Sequence, residues 1–351
     1  MKHRHDLLIG ACAASLALFA CLQPALAQSG SVLSDTSDVE LQQKVQAQAA
    51  EKIKCAPLAD AAKAQEAFAS AVNDKWDRAA VGCAIEYGLT AFDALPQSDE
   101  RKVAFGLELM GAIVSYFDVI DKSYNKLYES TDTAAELSLR WETNRANGDK
   151  VLAALEPAAA DVVEFRLLSA AFKLASSQRG VDPMVQGKLQ SEALAGLQGV
   201  MAEKPEALGG LAPLLMGQLL YALPGFLGGD VEKAGALFEQ ARSIDPNNLA
   251  AYRGLVEYHL KKREPEKVAA VLEAALKVDP QALNAQDFVD DAQFLGGLAV
   301  RAGREDLAAS FNSERAKMLA EKPYLQTRKK AASFGHGAED PFTGKDSNEL
   351  K

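Results

Sequence analysis

The sequence predicts an all-α protein, built as a solenoid of stacked helical pairs. Apolar residues recur every three or four positions along most of the chain after residue 38, which is the period of an amphipathic helix. No run alternates apolar and polar residues over the length of a strand, and no Asn-Gly pair is flanked by two such runs. Two helical segments in the second half also repeat each other, and such repetition is typical of solenoids.

The internal repeat is the most specific of these observations. GDVEKAGALFEQARSIDP ends at Pro246 and EPEKVAAVLEAALKVDP ends at Pro280, so the two prolines are about 34 residues apart. At the same offset Ala241 recurs as Ala275. Small residues at fixed positions and a closing proline at this period are the signature of the tetratricopeptide repeat. Because such repeats present a concave surface to partners, the sequence indicates a binding protein rather than an enzyme.

The first repeat contains a stripe of residues that we predict to be core. Ala234, Phe238 and Ala241 are spaced four and three residues apart and therefore share one helical face. The two alanines let neighbouring helices approach, and the ring of Phe238 fills the space between them. Asp230 precedes this helix at the N-cap position, where a carboxylate accepts backbone amide hydrogen bonds, so we predict a structural role for it as well.

The N-terminus has the pattern of an export signal. Lys2 and Arg4 form a basic start, an apolar run follows, and Ala-Leu-Ala ending at Ala27 is a small-x-small cleavage site. This pattern predicts a signal peptide at residues 1–27 and a periplasmic mature protein. The run Leu-Phe-Ala-Cys ending at Cys21 also resembles a lipobox, so an outer-membrane lipoprotein anchored through Cys21 is the alternative.

The mature chain then divides into four regions. Residues 28–38 are small and polar and predict a flexible lead, and residues 323–351 predict a polar C-terminal tail. Between them we expect degenerate helical repeats at 39–205 and tetratricopeptide-like repeats at 206–322, about six helical pairs in all. The predicted helices cover residues 39–54, 61–72, 77–95, 103–130, 132–142, 148 onward, 162–177, 183–202, 206–221, 231–244, 248–262, 266–277, 286–302 and 305–321.

Charge and cysteine content narrow the possible partners and chemistry. The formal net charge of −10 at pH 7 argues against nucleic acid and anionic membrane surfaces, because both attract basic patches. Removal of the signal leaves two cysteines, Cys55 and Cys83, and an exported chain with two cysteines is expected to form one disulfide. The sequence has no cluster of metal ligands, no phosphate loop and no nucleophile motif, so we expect no metal, no cofactor and no catalysis.

The connection Leu223–Asp230 is unusually long and apolar for a turn between paired helices. It places Leu223, Phe226 and Leu227 among one proline and three glycines. Exposed apolar residues in a loop often mark a ligand or partner surface. Two interpretations are open: these three residues line a ligand passage or partner contact, or Phe226 plugs the neighbouring repeat.

A second candidate surface lies in the next helix. Arg253 and Glu257 are four residues apart, on the face that we expect to point toward the hollow side of the solenoid. Either the two residues contact a bound partner, or they form an ordinary helical ion pair.

The stretch LYALPGFLGGDVEKAGALFEQA, residues 220–241, resembles the T-component (TatT) proteins of TRAP transporters. The matching residues are Leu223, Pro224, Gly228, Gly229, Asp230, Lys233, Ala234, Phe238 and Ala241. The resemblance implies an exported, all-helical repeat protein that binds a periplasmic solute-binding protein and helps hand over a small organic solute. It also implies a homo-oligomer, a trimer. The alternative function is a generic exported tetratricopeptide scaffold for envelope protein assembly.

Overall fold

The computed structural model describes residues 44, 47–50, 55, 56, 58, 60–74, 78–125, 132–323 and 325. The predicted signal peptide, the predicted lead, Cys21 and almost all of the predicted tail lie outside the described residues. Every regular element in the described part of the chain is helical, and no strand occurs there. The all-α prediction is therefore confirmed.

Twelve α-helices and two short 3-10 helices lie in this part of the chain, and most begin and end within a few residues of the predicted segments. The α-helices are α1 (Ala61–Asp74), α2 (Arg78–Ala94), α3 (Glu100–Tyr124), α4 (Ala134–Ala159), α5 (Val163–Ser176), α6 (Pro183–Glu203), α7 (Ala207–Ala222), α8 (Val231–Ile244), α9 (Leu249–Lys262), α10 (Pro265–Ala275), α11 (Ala285–Arg301) and α12 (Glu305–Glu321). The 3-10 helices are Gly225–Leu227 and Pro280–Ala282.

The helices form consecutive pairs that stack into a solenoid. Each odd-numbered helix packs extensively against the helix that follows it, which makes six pairs among the described residues. The odd-numbered helices from α3 to α11 also pack against one another in chain order, α3 on α5, α5 on α7, α7 on α9 and α9 on α11. This arrangement of paired and stacked helices is that of a tetratricopeptide-like solenoid, as the sequence predicts.

The apolar core follows the same one-dimensional order. One large cluster of buried side chains extends from Ala64 in α1 to Leu255 in α9. A second cluster extends from Leu249 in α9 to Leu325. Helix α9 contributes to both clusters, because it lies between two neighbouring pairs and buries residues on opposite sides. The repeats therefore share a continuous core, and each needs its neighbour for burial.

Helix α4 corrects one prediction of the sequence analysis. A new helix was expected to open at Gly148, but α4 runs without a break from Ala134 to Ala159. Gly148 serves packing instead, since a Cβ atom there would lie 2.0 Å from Cε2 of Phe172. The helix begins at a capping box, in which Thr133 and Glu136 each satisfy a backbone amide of the other.

Helix α3 is the one described helix that is long and apolar enough to cross a membrane. However, 61% of its apolar window is buried inside the fold. The helix packs against α2, α4 and α5. Its apolar composition is accordingly that of a core helix.

The predicted disulfide between Cys55 and Cys83 is present, with the two Cα atoms 5.4 Å apart. It joins the segment before α1 to helix α2. A second link holds the same segment, because the hydroxyl of Tyr87 donates a hydrogen bond of 2.8 Å to the carbonyl of Ala56. The first pair is thus cross-linked to the chain that precedes it.

Candidate binding surfaces

The Leu223–Asp230 loop has a compact backbone that requires glycine at two positions. Gly228 has a φ of 89°, in the left-handed region that side chains disfavour. The amide of Gly229 donates a hydrogen bond of 3.0 Å to the carbonyl of Pro224. A Cβ atom on Gly229 would lie 1.7 Å from the carbonyl oxygen of Leu223, so no larger residue fits there. The backbone of the loop is therefore defined by its own contacts.

The apolar residues of this loop occupy different environments. The ring of Phe226 is 87% exposed, so it does not plug the neighbouring repeat. Leu223 is half-buried, and the side chain of Leu227 lies outside the described part of the structure. Asp230 caps α8, since its Oδ1 accepts a hydrogen bond of 3.0 Å from the amide of Lys233. The loop therefore presents a large apolar ring to solvent, on a backbone that α8 anchors.

The predicted stripe of α8 lies in the core. Ala234, Phe238 and Ala241 are all buried. The Phe238 ring fits against two glycines, because a Cβ atom on Gly217 of α7 would lie 2.8 Å from it and one on Gly254 of α9 would lie 2.6 Å from it. Three consecutive helices thus approach closely around one aromatic ring.

The closing residues of the two repeats also have structural surroundings. The carbonyl of Pro246 accepts a hydrogen bond of 2.9 Å from the hydroxyl of Tyr252. Pro280 begins a 3-10 helix that Asp279 caps. Ala275 is buried in the second apolar cluster. The repeat signature in the sequence therefore corresponds to turns and to packing.

Arg253 forms an ion pair with Asp291, a residue that its own sequence neighbourhood does not indicate. Arg253 is 5% exposed, and its Nη1 lies 3.2 Å from Oδ1 of Asp291 in α11. Its guanidinium also stacks 5.0 Å from the ring centre of Phe294. Among the described ion pairs none joins Arg253 to Glu257. The ordinary helical ion pair is therefore not formed, and a role for these two residues in binding stays a prediction.

A buried group of charges extends from this position to α3, a helix far away in the chain. Nζ of Lys122 lies 2.5 Å from Oδ2 of Asp118 and 2.8 Å from Oδ2 of Asp290 in α11. Lys122 is 2% exposed and Asp290 is fully buried. Asp291 follows directly and holds Arg253. These five residues, which we call the α3–α11 charge cluster, connect the first half of the solenoid to its last pair.

The surroundings of this cluster shift the pKa values of neighbouring groups. Burial raises the pKa of Asp287 well above its usual range, because Lys122 only partly offsets the lost hydration and three other carboxylates lie nearby. Burial also raises the pKa of Glu257, although the positive charges of Arg253 and Arg301 lower it in part. For Tyr221, burial and then the charge of Glu257 raise the pKa to about 12.

The sequence contains charged residues that point to a buried cluster, although their spacing does not show which residues pair. Asp118 and Lys122 are four residues apart in a strongly apolar helix, and Asp290 and Asp291 are adjacent within another apolar pattern. Charges in such positions are expensive unless they are paired, but the sequence does not identify the partner. No group of three or more His, Cys, Asp or Glu in the described ranges is arranged to hold a metal ion.

Comparison with known proteins agrees with this architecture. A family model described as Tetratricopeptide repeat matches residues 226–289, from the Leu223–Asp230 loop into α11. A search of the curated proteins found no significant match. The matched residues include α8, α9 and α10, the helices that carry the repeat of about 34 residues. The chain is thus an all-helical protein with a tetratricopeptide repeat, a fold that generally serves as a scaffold for binding other proteins.

Proposed function

We propose that this protein is a non-catalytic periplasmic binding protein that works as the T component of a TRAP transport system. In this role it binds a periplasmic solute-binding protein and helps hand over a small organic solute. The resemblance of residues 220–241 to the T-component family supports this proposal, and so does the tetratricopeptide repeat. The signal sequence ending at Ala27 supports export to the periplasm, with lipid anchoring through Cys21 as the alternative.

The exposure of Phe226 is the observation that carries the proposal. A phenylalanine that is 87% exposed leaves a large apolar area in water, on a loop whose backbone is held by its own hydrogen bonds. Aromatic side chains that become buried on association are typical anchors of protein interfaces. This ring lies within the segment that most resembles the T-component family, so we assign it to the contact with the solute-binding protein.

The test compares two phenylalanines that are twelve positions apart in the chain, Phe226 in an exposed loop and Phe238 in the core. Phe226→Ala should weaken binding of the TRAP solute-binding protein encoded in the same genome by about tenfold or more, because a hot-spot truncation costs 2 kcal/mol or more. The thermal midpoint should change little, since the ring makes few contacts in the folded protein. Phe238→Ala should instead cost about 3–5 kcal/mol of stability, because it leaves a cavity among α7, α8 and α9.

A control variant at another exposed apolar residue distinguishes a specific contact of Phe226 from non-specific binding by apolar surface. Val300 is 51% exposed on α11, outside the loop. Val300→Ala should leave both the binding and the melting unchanged. If Phe226→Ala binds the solute-binding protein as the unmodified chain does, the loop is not the contact and the proposal loses its main support.

A generic exported scaffold for envelope protein assembly is the second candidate. The family match favours it, because tetratricopeptide repeats generally serve as scaffolds for binding other proteins. The two candidates differ in their partner. Pull-down of a TRAP solute-binding protein by the unmodified chain supports the T-component role, and pull-down of assembly factors alone supports the scaffold. Sedimentation of the purified protein would also test the trimer that the resemblance implies.

A further inference from the structure

Helix α4 carries a polar stripe where an amphipathic helix would have apolar residues. Arg140, Thr143, Asn144 and Asn147 occupy positions i, i+3, i+4 and i+7 and therefore share one face. That face is turned inward, because all four residues line a cleft that also involves α2 and α3. Asn144 is 2% exposed. The other three are half-buried, so this face removes polar side chains from much of their water, which costs stability unless they gain partners.

The cleft is shaped to leave room beside these groups. It encloses a space of about 20 Å³, which is enough for one water-sized group, and it opens toward solvent. Gly82 of α2 forms part of its wall, and a Cβ atom there would lie 2.7 Å from Oη of Tyr116 and 3.3 Å from Nη1 of Arg140. Cys55 forms another part, held in place by its disulfide. We call this space the α4 cleft.

Hydrogen-bond acceptors in the α4 cleft lack donors. Asn144 donates its amide hydrogen to the carbonyl of Ile113 at 2.9 Å, and its buried Oδ1 accepts no hydrogen bond from the described residues. The carboxylate of Glu86, one turn after Gly82 on α2, also lines the cleft, and no described residue donates to it. Leaving a buried acceptor without a donor is unfavourable, so a ligand that supplies N–H groups would be favoured here.

The charges around the α4 cleft favour a cation. Arg140 is the one cation among the described residues that line the cleft. Its Nε lies 3.3 Å from Oδ2 of Asp132, and its Nη1 donates a hydrogen bond to the hydroxyl of Tyr116 at 3.4 Å. The Arg140 charge is therefore largely balanced by Asp132. Among the described lining residues this leaves Glu86 as the unbalanced charge, and burial raises its pKa while Arg140 lowers it. An anionic ligand would be repelled by Glu86 and would not satisfy Asn144.

We propose that the α4 cleft binds the primary ammonium group of a small organic amine or amino acid. An ammonium group is about the size of water and carries three donors, so it fits the enclosed space, which both Glu86 and Asn144 line. The remainder of the ligand extends toward the open side. This inference does not rest on the proposed function, because the cleft and the Leu223–Asp230 loop are formed by different helices.

The test is a calorimetric titration of the purified mature protein with four small probes. Ethanolamine should bind saturably, and glycine should bind if the ligand is an amino acid. Choline should not bind, because three methyl groups on nitrogen exceed the enclosed space and remove the N–H donors. Sodium acetate should not bind, because it has no cationic group. Binding of acetate equal to that of ethanolamine would overturn the proposal.

Two variants tie the binding to the cleft. Glu86→Gln removes the charge and should weaken ethanolamine binding about tenfold or more, since hydrogen bonds to charged groups are worth 1.5–3 kcal/mol. Gly82→Ala should also weaken it, because the added Cβ forces Tyr116 and Arg140 into the cleft. Glu142→Gln makes the same chemical change at an exposed position of α4 and should leave binding unchanged.

Thermal melts of each variant establish that it is folded before its binding is compared. The proposal fails if the unmodified protein shows no saturable heat with ethanolamine up to about 10 mM, which is about ten times the Kd of a weak, 1 mM site. It also fails if folded Glu86→Gln binds ethanolamine as tightly as the unmodified chain. Neither outcome bears on the contact proposed for Phe226, which is measured with a protein partner.

Discussion

Removing the charge of Lys122 should destabilise the whole solenoid, because this residue connects helices that are far apart in the chain. Its Nζ contacts Asp118 in its own helix and Asp290 in α11. The substitution Lys122→Met keeps most of the side-chain volume and removes only the charge and its donors. Asp290, which is fully buried, would then lose its cation, and nearby Asp287 would add its own charge to the repulsion.

The expected cost follows from the burial of both partners. Breaking a buried ion pair by removing one partner costs about 3–5 kcal/mol, since it leaves an uncompensated charge in the interior. The entropy of unfolding grows with chain length, so in this chain of 351 residues each kcal/mol lowers the melting midpoint by roughly 1–2 °C, and a fall of about 6 °C is expected. A surface pair provides the contrast, because exposed pairs contribute about 0–1 kcal/mol.

Circular dichroism melts at neutral pH would measure this difference against a matched control. Lys150 lies 2.6 Å from Asp93, but both side chains are about half exposed. Lys150→Met should therefore lower the midpoint by no more than about 2 °C. The double variant Lys122→Met, Asp290→Asn should melt above Lys122→Met alone, because the unpaired charge is gone.

Either of two results would refute the reasoning. Lys122→Met could melt no lower than Lys150→Met, which would mean that the buried cation contributes no more than a surface one. Alternatively, the double variant could melt at or below the single variant, which would mean that the loss reflects packing rather than charge.

Three further predictions concern the disulfide, the pH dependence and the N-terminus. Thiol labelling of the unfolded, unreduced protein should find no free thiol, and replacing Cys55 and Cys83 by serine should cost roughly 3–4 kcal/mol for a closed loop of 28 residues; two labelled thiols would contradict the bond. Because burial raises the pKa of Asp287, the ionisation of this carboxyl opposes folding as the pH rises. Asp287→Asn should therefore raise the melting midpoint at pH 7 and have no such effect below about pH 4, where the carboxyl is neutral in both states. An equal gain at both pH values would contradict this cause. Mass spectrometry of the mature protein should identify Gln28 as the first residue, whereas a diacylglycerol on Cys21 would establish the lipoprotein alternative.

Local and periodic features of this chain could be predicted from its sequence. The helical period gives the faces of α8 and α9, and the repeat of about 34 residues indicates that those helices stack as pairs. The stripe around Phe238 is core for the same reason, because spacing alone places its three residues on one face. Two cysteines follow the predicted signal peptide and allow one pairing, so the disulfide between Cys55 and Cys83 could also be predicted from the sequence.

Turn and helix boundaries were predicted less well where packing overrides local preference. The Gly148-Asp149 pair predicts the start of a new helix, which the structure does not show. The ring of Phe172, from the next helix, occupies the space beside that glycine and favours a continuous α4. The propensity of a residue is worth about 1 kcal/mol at most, less than the burial of an aromatic ring.

The tertiary structure alone decided which polar groups meet. Arg253 pairs with Asp291, and Lys122 joins α3 to α11, although these partners are 38 and up to 168 residues apart in the chain. The polar stripe of α4 became a cleft because Gly82 and Glu86 lie opposite it on another helix. Periodicity in a sequence specifies which face of a helix is buried, whereas the residue that lies across from it depends on how successive pairs stack and curve.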